Sequence, residues 1–230
     1  MICLLCGQSY APEISYLKIF SLNNYTQTKL CPHCLAKFER LSSIQCRICS
    51  KNLEKEGICS DCEYWQKKYH GKTLKNHAIF RYNLYFHDLM VQYKRYGDYI
   101  LKDVLAELCK KELKKLKADL YVPIPTSPEH QKRRQFDTIS AIYADILPLT
   151  PLLIKEAGLD SQGEKNKQER LKTGQGFLLA KKVQIRENLN IRKIVLLDDI
   201  YTTGRTLYHA RDKVWEHFPD SQIESFSICR

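Results

Sequence analysis

The chain has 230 residues, 43% of them apolar, and a formal charge of +11 at pH 7. That length and apolar content suffice for one substantial core and a small satellite, well beyond a miniprotein, while runs such as "IVLL" at 194 to 197 fall far short of the roughly 20 apolar residues of a membrane-spanning helix. The amino terminus lacks the charged region, apolar run and small-residue cleavage site of an export signal, so no transmembrane segment and a cytoplasmic location are expected.

Eight of the ten cysteines fall in four CxxC pairs near the amino end: Cys3/Cys6, Cys31/Cys34, Cys46/Cys49 and Cys59/Cys62. A two-residue gap lets two thiolates converge on one tetrahedral ion, whereas a disulfide framework has no reason to repeat that gap four times. Two zinc ions are therefore expected. Sequential pairing joins Cys3/Cys6 with Cys31/Cys34 across a long connection and Cys46/Cys49 with Cys59/Cys62 across a short one. An interleaved cross-brace, Cys3/Cys6 with Cys46/Cys49 and Cys31/Cys34 with Cys59/Cys62, uses the same residues and stays open. A thioredoxin-like redox motif needs one CxxC between a strand and a helix, which four copies in an apolar-poor segment do not offer. His33 is read as a bystander because the cysteines fill the coordination shell, and Cys109 and Cys229 as buried thiols. Each four-thiolate zinc site carries a net charge of minus 2, so two filled sites lower the total to about +7. The protein stays basic, which favours nucleic acid or another polyanion as partner.

A composition change near residues 70 to 76 divides the chain into a cysteine-rich zinc-binding part, 1–75, and a larger part, 76–230. In the larger part, "HAIFRYN" (77 to 83) reads as a strand and "YFHDLMVQYKRYG" (85 to 97) as a helix ended by Gly97. "DYILKDVLAELCKKELKKLK" (98 to 117) places Leu101, Val104, Leu105, Leu108, Cys109, Leu113 and Leu116 at helical spacing behind a cap at Asp98. "LYVPIP" (120 to 125) reads as a buried strand stopped by prolines, and "DTISAIYADIL" (137 to 147) as a helix started at Asp137. Residues 158 to 176 lose all apolar periodicity and read as a long loop. "IRKIVLLDDI" (191 to 200) is a strand apolar enough to be covered on both faces, "GRTLYHARDKVWEHF" (204 to 218) an amphipathic helix and "QIESFSIC" (222 to 229) a last strand. Strands alternating with helices predict an α/β fold with a doubly wound, mostly parallel sheet.

In such a sheet ligands bind beyond the carboxyl ends of the strands, where the following helix presents its amino end. The strand "IVLL" delivers Asp198 and Asp199 to that edge. Behind them the backbone N–H groups and side chains of Thr202, Thr203, Gly204, Arg205 and Thr206 can surround a phosphate at a helix start. A phosphate site and two carboxylates close together in the chain describe a sugar phosphate: the turn takes the phosphate and the carboxylates accept from ribose hydroxyls. A magnesium ion would bridge an attached pyrophosphate. The bland alternative is a helix start beside an incidental acidic pair, which leaves two carboxylates after a buried strand with nothing to offset their burial.

"VLLDDIYTTGRTL" (195 to 207) resembles the phosphoribosyl pyrophosphate loop of type I phosphoribosyltransferases: an apolar strand, two acids, then Thr-Thr-Gly-x-Thr. With the cysteine pairs ahead of it, and with "VQYKRYGD" (91 to 98), "VPIPTSPEHQKRRQFD" (122 to 137) and "NKQERLKTGQGFLL" (166 to 179), the whole chain resembles the ComF competence family, a zinc finger followed by a type I phosphoribosyltransferase-like domain. The resemblance implies handling of incoming single-stranded DNA in natural transformation, in the cytoplasm, beside a ComFA-like DNA helicase and ATPase. It does not imply a demonstrated transferase reaction. The family's Arg-Gly-Phe-Asn stands here as Arg134, Gln135, Phe136 and Asp137; Gly to Gln removes backbone freedom, and Asn to Asp adds negative charge near the expected pyrophosphate.

A sequence-blind single-strand binder needs cations for the backbone and aromatic faces for the bases. Tyr93, Lys94, Arg95, Tyr96 and Tyr99 supply both, and Lys132, Arg133 and Arg134 add cations; the alternative for each is packing or surface solvation. The resemblance implies that Lys165, Lys167, Gln168 and Arg170 in the long loop close over a bound pyrophosphate, as flexible loops do in type I phosphoribosyltransferases; the alternative is plain disorder. Three classes stay open: a competence accessory protein that binds a ribose phosphate or nucleic acid and docks a helicase through its zinc segment, an active phosphoribosyltransferase using phosphoribosyl pyrophosphate and Mg²⁺, and a zinc-stabilised adaptor. No acceptor-base pocket is recognisable in the sequence.

Overall fold

The structure is a computed structural model that describes residues 1–11, 28–155, 176–180 and 190–230. From the amino end its elements are helices α1 (Pro32–Leu35) and α2 (Ser60–Lys68), strand β1 (Lys75–Phe80), helix α3 (Leu84–Val91) continued by a π-helical turn (Gln92–Tyr96), helix α4 (Leu101–Leu113) and strand β2 (Leu120–Pro123). There follow helices α5 (Pro128–Arg134) and α6 (Thr138–Tyr143), strands β3 (Leu153–Lys155), β4 (Phe177–Leu179) and β5 (Lys193–Ile200), helix α7 (Arg205–Trp215) and strand β6 (Gln222–Cys229). No helix among the described residues is long and apolar enough to cross a membrane.

Strand β5 organises the molecule. Its residues Ile194, Val195, Leu196 and Leu197 are all fully buried, each burial contributing roughly 2 kcal/mol, and because side chains alternate along a strand they feed two different cores. Val195 and Leu197 join Phe86, Leu89, Val104, Leu105 and Ile142 from α3, α4 and α6. Ile194 and Leu196 join Leu207, Tyr208, Ala210 and Val214 of α7. The four long strands lie in the order β1-β6-β5-β2, all parallel, with helices on both faces. This is the expected doubly wound sheet. Beside it β3 and β4 form a separate antiparallel pair, Leu153 opposite Leu179.

Local chemistry accounts for most element ends. Asp137 caps α6 as expected, its Oδ1 accepting from Ser140 N–H at 2.7 Å, and Gly97 closes the π turn in the left-handed region at φ 74°. Asp98 does not cap α4: the helix begins at Leu101 behind Ile100 with no side-chain cap, because the chain leaving Gly97 first makes a turn in which Leu101 N–H donates to the Asp98 carbonyl at 3.2 Å. Three elements of the larger part lack a signal in the sequence. Helix α5, "PEHQKRR", buries none of its residues and so shows no apolar period, and the β3–β4 strands are three residues each.

Candidate functional site

The eight cysteines gather into two tetrads, Cys3/Cys6/Cys31/Cys34 and Cys46/Cys49/Cys59/Cys62, the sulfurs of each lying within 4.8 Å of one another. Sequential pairing therefore holds over the interleaved alternative. The turns are built for it: Cys31 Sγ accepts from Cys34 N–H and Cys46 Sγ from Cys59 N–H, both at 3.4 Å. The residue after the second cysteine, Gly7 or Ser50, takes positive φ, 70° and 64°. A zinc ion with bonds of about 2.3 Å holds tetrahedral sulfurs roughly 3.8 Å apart, and the structure places Cys6 and Cys31 Sγ at 3.9 Å and Cys49 and Cys59 Sγ at 3.5 Å. Four soft thiolates in that geometry fit Zn²⁺. Burial pushes the Cys34 thiol up to about 12 without a cation, so ionisation of this sulfur calls for a metal. The exposed His33 is in neither tetrad. Cys109 and Cys229 are buried and unpaired with any cysteine.

The tetrads lie on opposite faces of the sheet. Cys3, Cys31 and Cys34 belong to the core of α3, α4 and α6, and the other four to the core of α7. Over β1 and β6 this second face is polar: Asn76 Nδ2 donates to Ser227 Oγ at 3.1 Å and Ser225 Oγ to Asn76 Oδ1 at 3.0 Å. Asn76 N–H also donates to the Ile48 carbonyl, between Cys46 and Cys49, at 2.7 Å.

At the carboxyl end of β5 sit Asp198 and Asp199. Asp199 is buried, 3% of its side chain exposed, and its carboxylate meets the Lys94 ammonium. Lys94 rides on the π turn, an irregularity common at functional sites, and the turn is tied down by Arg134 Nε donating to the Lys94 carbonyl at 2.6 Å. Burial opposes the Lys94 charge, but Asp199 and Asp198 more than restore it. Asp198 Oδ1 accepts from Asp199 N–H at 2.9 Å, and Tyr143 OH donates to the Asp198 carbonyl at 2.7 Å. Burial first, and the Asp199 charge second, push the Asp198 carboxyl up to about 7.

That shift has a signed consequence. A carboxyl free at about 4 in the unfolded chain and held near 7 in the fold stabilises the protein at low pH, and the contribution is lost as pH rises from about 4 through about 7. Denaturant unfolding at a series of pH values should show this decline in the wild type. Asp198→Asn should flatten it; an unchanged slope in the variant would remove Asp198 as its source.

Behind the acids Gly204 caps α7 at φ 82°. A Cβ there would sit 2.1 Å from Tyr201 Oη, so glycine is required by both conformation and space. The ring of Tyr201 fills the floor under the turn, and among the described residues its buried hydroxyl has no hydrogen-bond partner, an unmet group that a polar ligand can satisfy. Thr202 and Thr203 are exposed, Gly204 is buried, and Arg205 and Thr206 are half-buried.

The expected DNA contacts divide. Tyr93 departs from expectation: it is fully buried, its hydroxyl donating to the Thr138 carbonyl at 2.7 Å and its ring against Phe136, so it cannot stack on a base. Lys94 and Arg134 are drawn into the acidic site. Arg95, Lys132 and Arg133 are exposed, Tyr96 is 81% exposed and Tyr99 is 47% exposed. The Arg134 bond to Lys94 brings these two basic stretches side by side. Lys165, Lys167, Gln168 and Arg170, with nearly all of the long loop, lie outside the described residues.

Gln135, which stands where the family pattern has glycine, takes φ 67° as the left-handed cap of α5. A side chain there costs roughly 1 kcal/mol, so Gln135→Gly should stabilise the protein by about that amount, less the bond from its side chain to the Lys132 carbonyl. Thermal unfolding checks this; a lower midpoint would mean that the side-chain bond outweighs the strain. Asp137 holds both sides of the site edge, its Oδ2 accepting from Thr126 N–H at 2.8 Å and its Oδ1 from Ser140 N–H. Its added charge is thereby spent on two backbone donors. Trp65 and Arg230 also reach the turn and were not flagged by the sequence. Trp65 shares a helical face with Cys62 three residues before it, a usable signal; a single arginine after a strand carries none.

The class is thus a doubly wound α/β fold on a parallel four-stranded sheet, with two amino-terminal cysteine tetrads. No family model matches the chain. It is 33% identical over 237 aligned positions to competence protein ComFC of Streptococcus pneumoniae (strain ATCC BAA-255 / R6), all of both chains being covered. It is 27% identical over 237 positions to competence protein ComFC of Bacillus subtilis (strain 168), covering all of this chain and 95% of that one. The chain belongs to the ComF family of competence proteins.

Proposed function

We propose that this protein acts in natural transformation, handling incoming single-stranded DNA in the cytoplasm together with a ComFA-like DNA helicase. Residues 1–75 hold two zinc ions, and residues 76–230 bind a ribose phosphate at the turn of Thr202 to Thr206. The observation that carries the reading is the buried Asp199–Lys94 pair at the end of β5, beside a glycine turn floored by Tyr201. Exposed Arg95, Tyr96, Lys132 and Arg133 stand next to it. Asp199 accepts from ribose hydroxyls, the turn's N–H groups take the phosphate, and the flanking cations and aromatic face follow the strand.

The test has two parts. Single-strand binding should weaken with salt in proportion to the phosphates neutralised, with a slope of roughly −0.7 per contact. Tyr96→Ala should lower affinity about tenfold if one base stacks there. Affinity indifferent to salt and to Tyr96 would remove the DNA reading. Calorimetric titration with phosphoribosyl pyrophosphate and Mg²⁺ should show saturable binding. The second reading, an active phosphoribosyltransferase, rests on that same turn and is separated by pyrophosphate release in the presence of an acceptor.

A further inference from the structure

We propose that Trp65 and Arg230 are positioning residues for the sugar-phosphate turn, so that the second cysteine tetrad forms the rear wall of that site. The inference rests on reading the turn as a ribose-phosphate site. A turn that offers its N–H groups to a phosphate must direct its carbonyls elsewhere, and those carbonyls need partners of their own. Here Trp65 of the tetrad's segment and Arg230 after β6 supply them. Trp65 Nε1 donates to the Thr203 carbonyl at 2.7 Å. Arg230 Nη1 donates to the Thr202 carbonyl and lies 3.4 Å from that of Tyr201. Three consecutive carbonyls, 201 to 203, are thus held from behind.

Both donors are fixed by the tetrad. Trp65 lies one turn after Cys62 on α2, is 4% exposed, and stacks on Tyr208 of α7 with centroids 4.2 Å apart and planes 14° apart. Arg230 divides its guanidinium three ways. Its Nε donates to Cys49 Sγ at 3.4 Å, its Nη2 to Asp61 Oδ2 at 3.1 Å, and its Nη1 to the turn. Its plane also lies over the Tyr201 ring, 4.9 Å from the centroid, the ring that floors Gly204. A four-thiolate site with a divalent ion would carry net negative charge and so orient this guanidinium, whose Nη1 in turn holds the carbonyl side of the turn. Among the described residues the first tetrad, on the other face of the sheet, has no such bond to residues 201 to 206.

Hydrogen exchange of the full-length, metal-loaded chain tests this. Trp65→Phe keeps the ring on Tyr208 and removes only the N–H; Arg230→Gln removes the fork. Both should speed exchange in 201–207 about tenfold, the loss of roughly one hydrogen bond, while 193–200 keeps its protection. Trp215→Phe, whose indole donates to the Pro219 carbonyl instead, should leave the segment unchanged. In parallel, affinity for phosphoribosyl pyrophosphate with Mg²⁺ should fall about tenfold in the first two variants and hold in the third. Unchanged exchange in 201–207 for both variants would overturn the inference, as would an equal rise throughout the chain. Wild-type protein that binds no phosphoribosyl pyrophosphate would sink the ribose-phosphate reading instead, and the exchange result would still decide whether the turn is held from behind.

Discussion

Removing metal from the two tetrads is expected to unfold the chain on both faces of the sheet, including strands far from the cysteine-rich segment. Each tetrad belongs to one of the two apolar cores: Cys34 packs with Phe38, Phe86 and Leu89, and Cys49 and Cys62 with Trp65, Leu74 and Tyr208. Structural zinc contributes an apparent 10 to 16 kcal/mol or so in small zinc-binding peptides, about as much as the whole stability of a typical domain. Without the ion, the seven buried tetrad sulfurs are left crowded inside the cores with nothing to bind them. Arg230 would also lose the charge that orients it. Chelation followed by limited proteolysis and circular dichroism checks this. Digestion confined to 1–75, with β5 and β6 still protected, would show that the cores stand without their metals.

Asp199→Ala is expected to weaken ribose-phosphate binding about a hundredfold and to destabilise the fold, and the two effects can be separated. The binding loss follows from removing an ionised acceptor: two hydrogen bonds to a charged group amount to about 3 kcal/mol, roughly a hundredfold in affinity. The stability loss has another origin, because Lys94 is left without its counter-charge. Removing one partner of a fully buried pair costs about 3 to 5 kcal/mol. Lys94 keeps 30% of its side chain exposed, so about 2 kcal/mol is the better expectation here. The double variant Lys94→Met/Asp199→Ala should recover most of the stability and none of the binding. A cycle through the two singles and the double gives the coupling directly. Ligand affinity unchanged in Asp199→Ala would dismiss the acid as a ribose anchor.

The strand, turn and helix of "IVLLDDIYTTGRTL" were legible because each depends on near neighbours. Four apolar residues in a row need cover on both faces, Gly204 is placed where positive φ is needed, and an amphipathic helix follows. The cap at Asp137 and the stop at Gly97 were legible for the same reason. So were the cysteine pairs that gather into the tetrads, since a two-residue gap lets two thiolates converge on one ion. Elements without apolar period, α5 and the short strands β3 and β4, were not.

Local spacing also implied an α/β sheet, zinc-type cysteine pairs, an acidic pair before a phosphate-type turn, and a basic surface. It left open which pairs share an ion and which side of the sheet each tetrad takes. Nor did it show that Tyr93 is a core residue, or that Lys94, far earlier in the chain than Asp199, answers its charge. Trp65 and Thr203 are 138 residues apart, and Arg230 and Cys49 are 181 apart. Such meetings follow from the strand order β1-β6-β5-β2, which brings distant segments to one edge. Periodicity in a sequence reports which face of an element is buried; only the assembled sheet decides what that face is buried against.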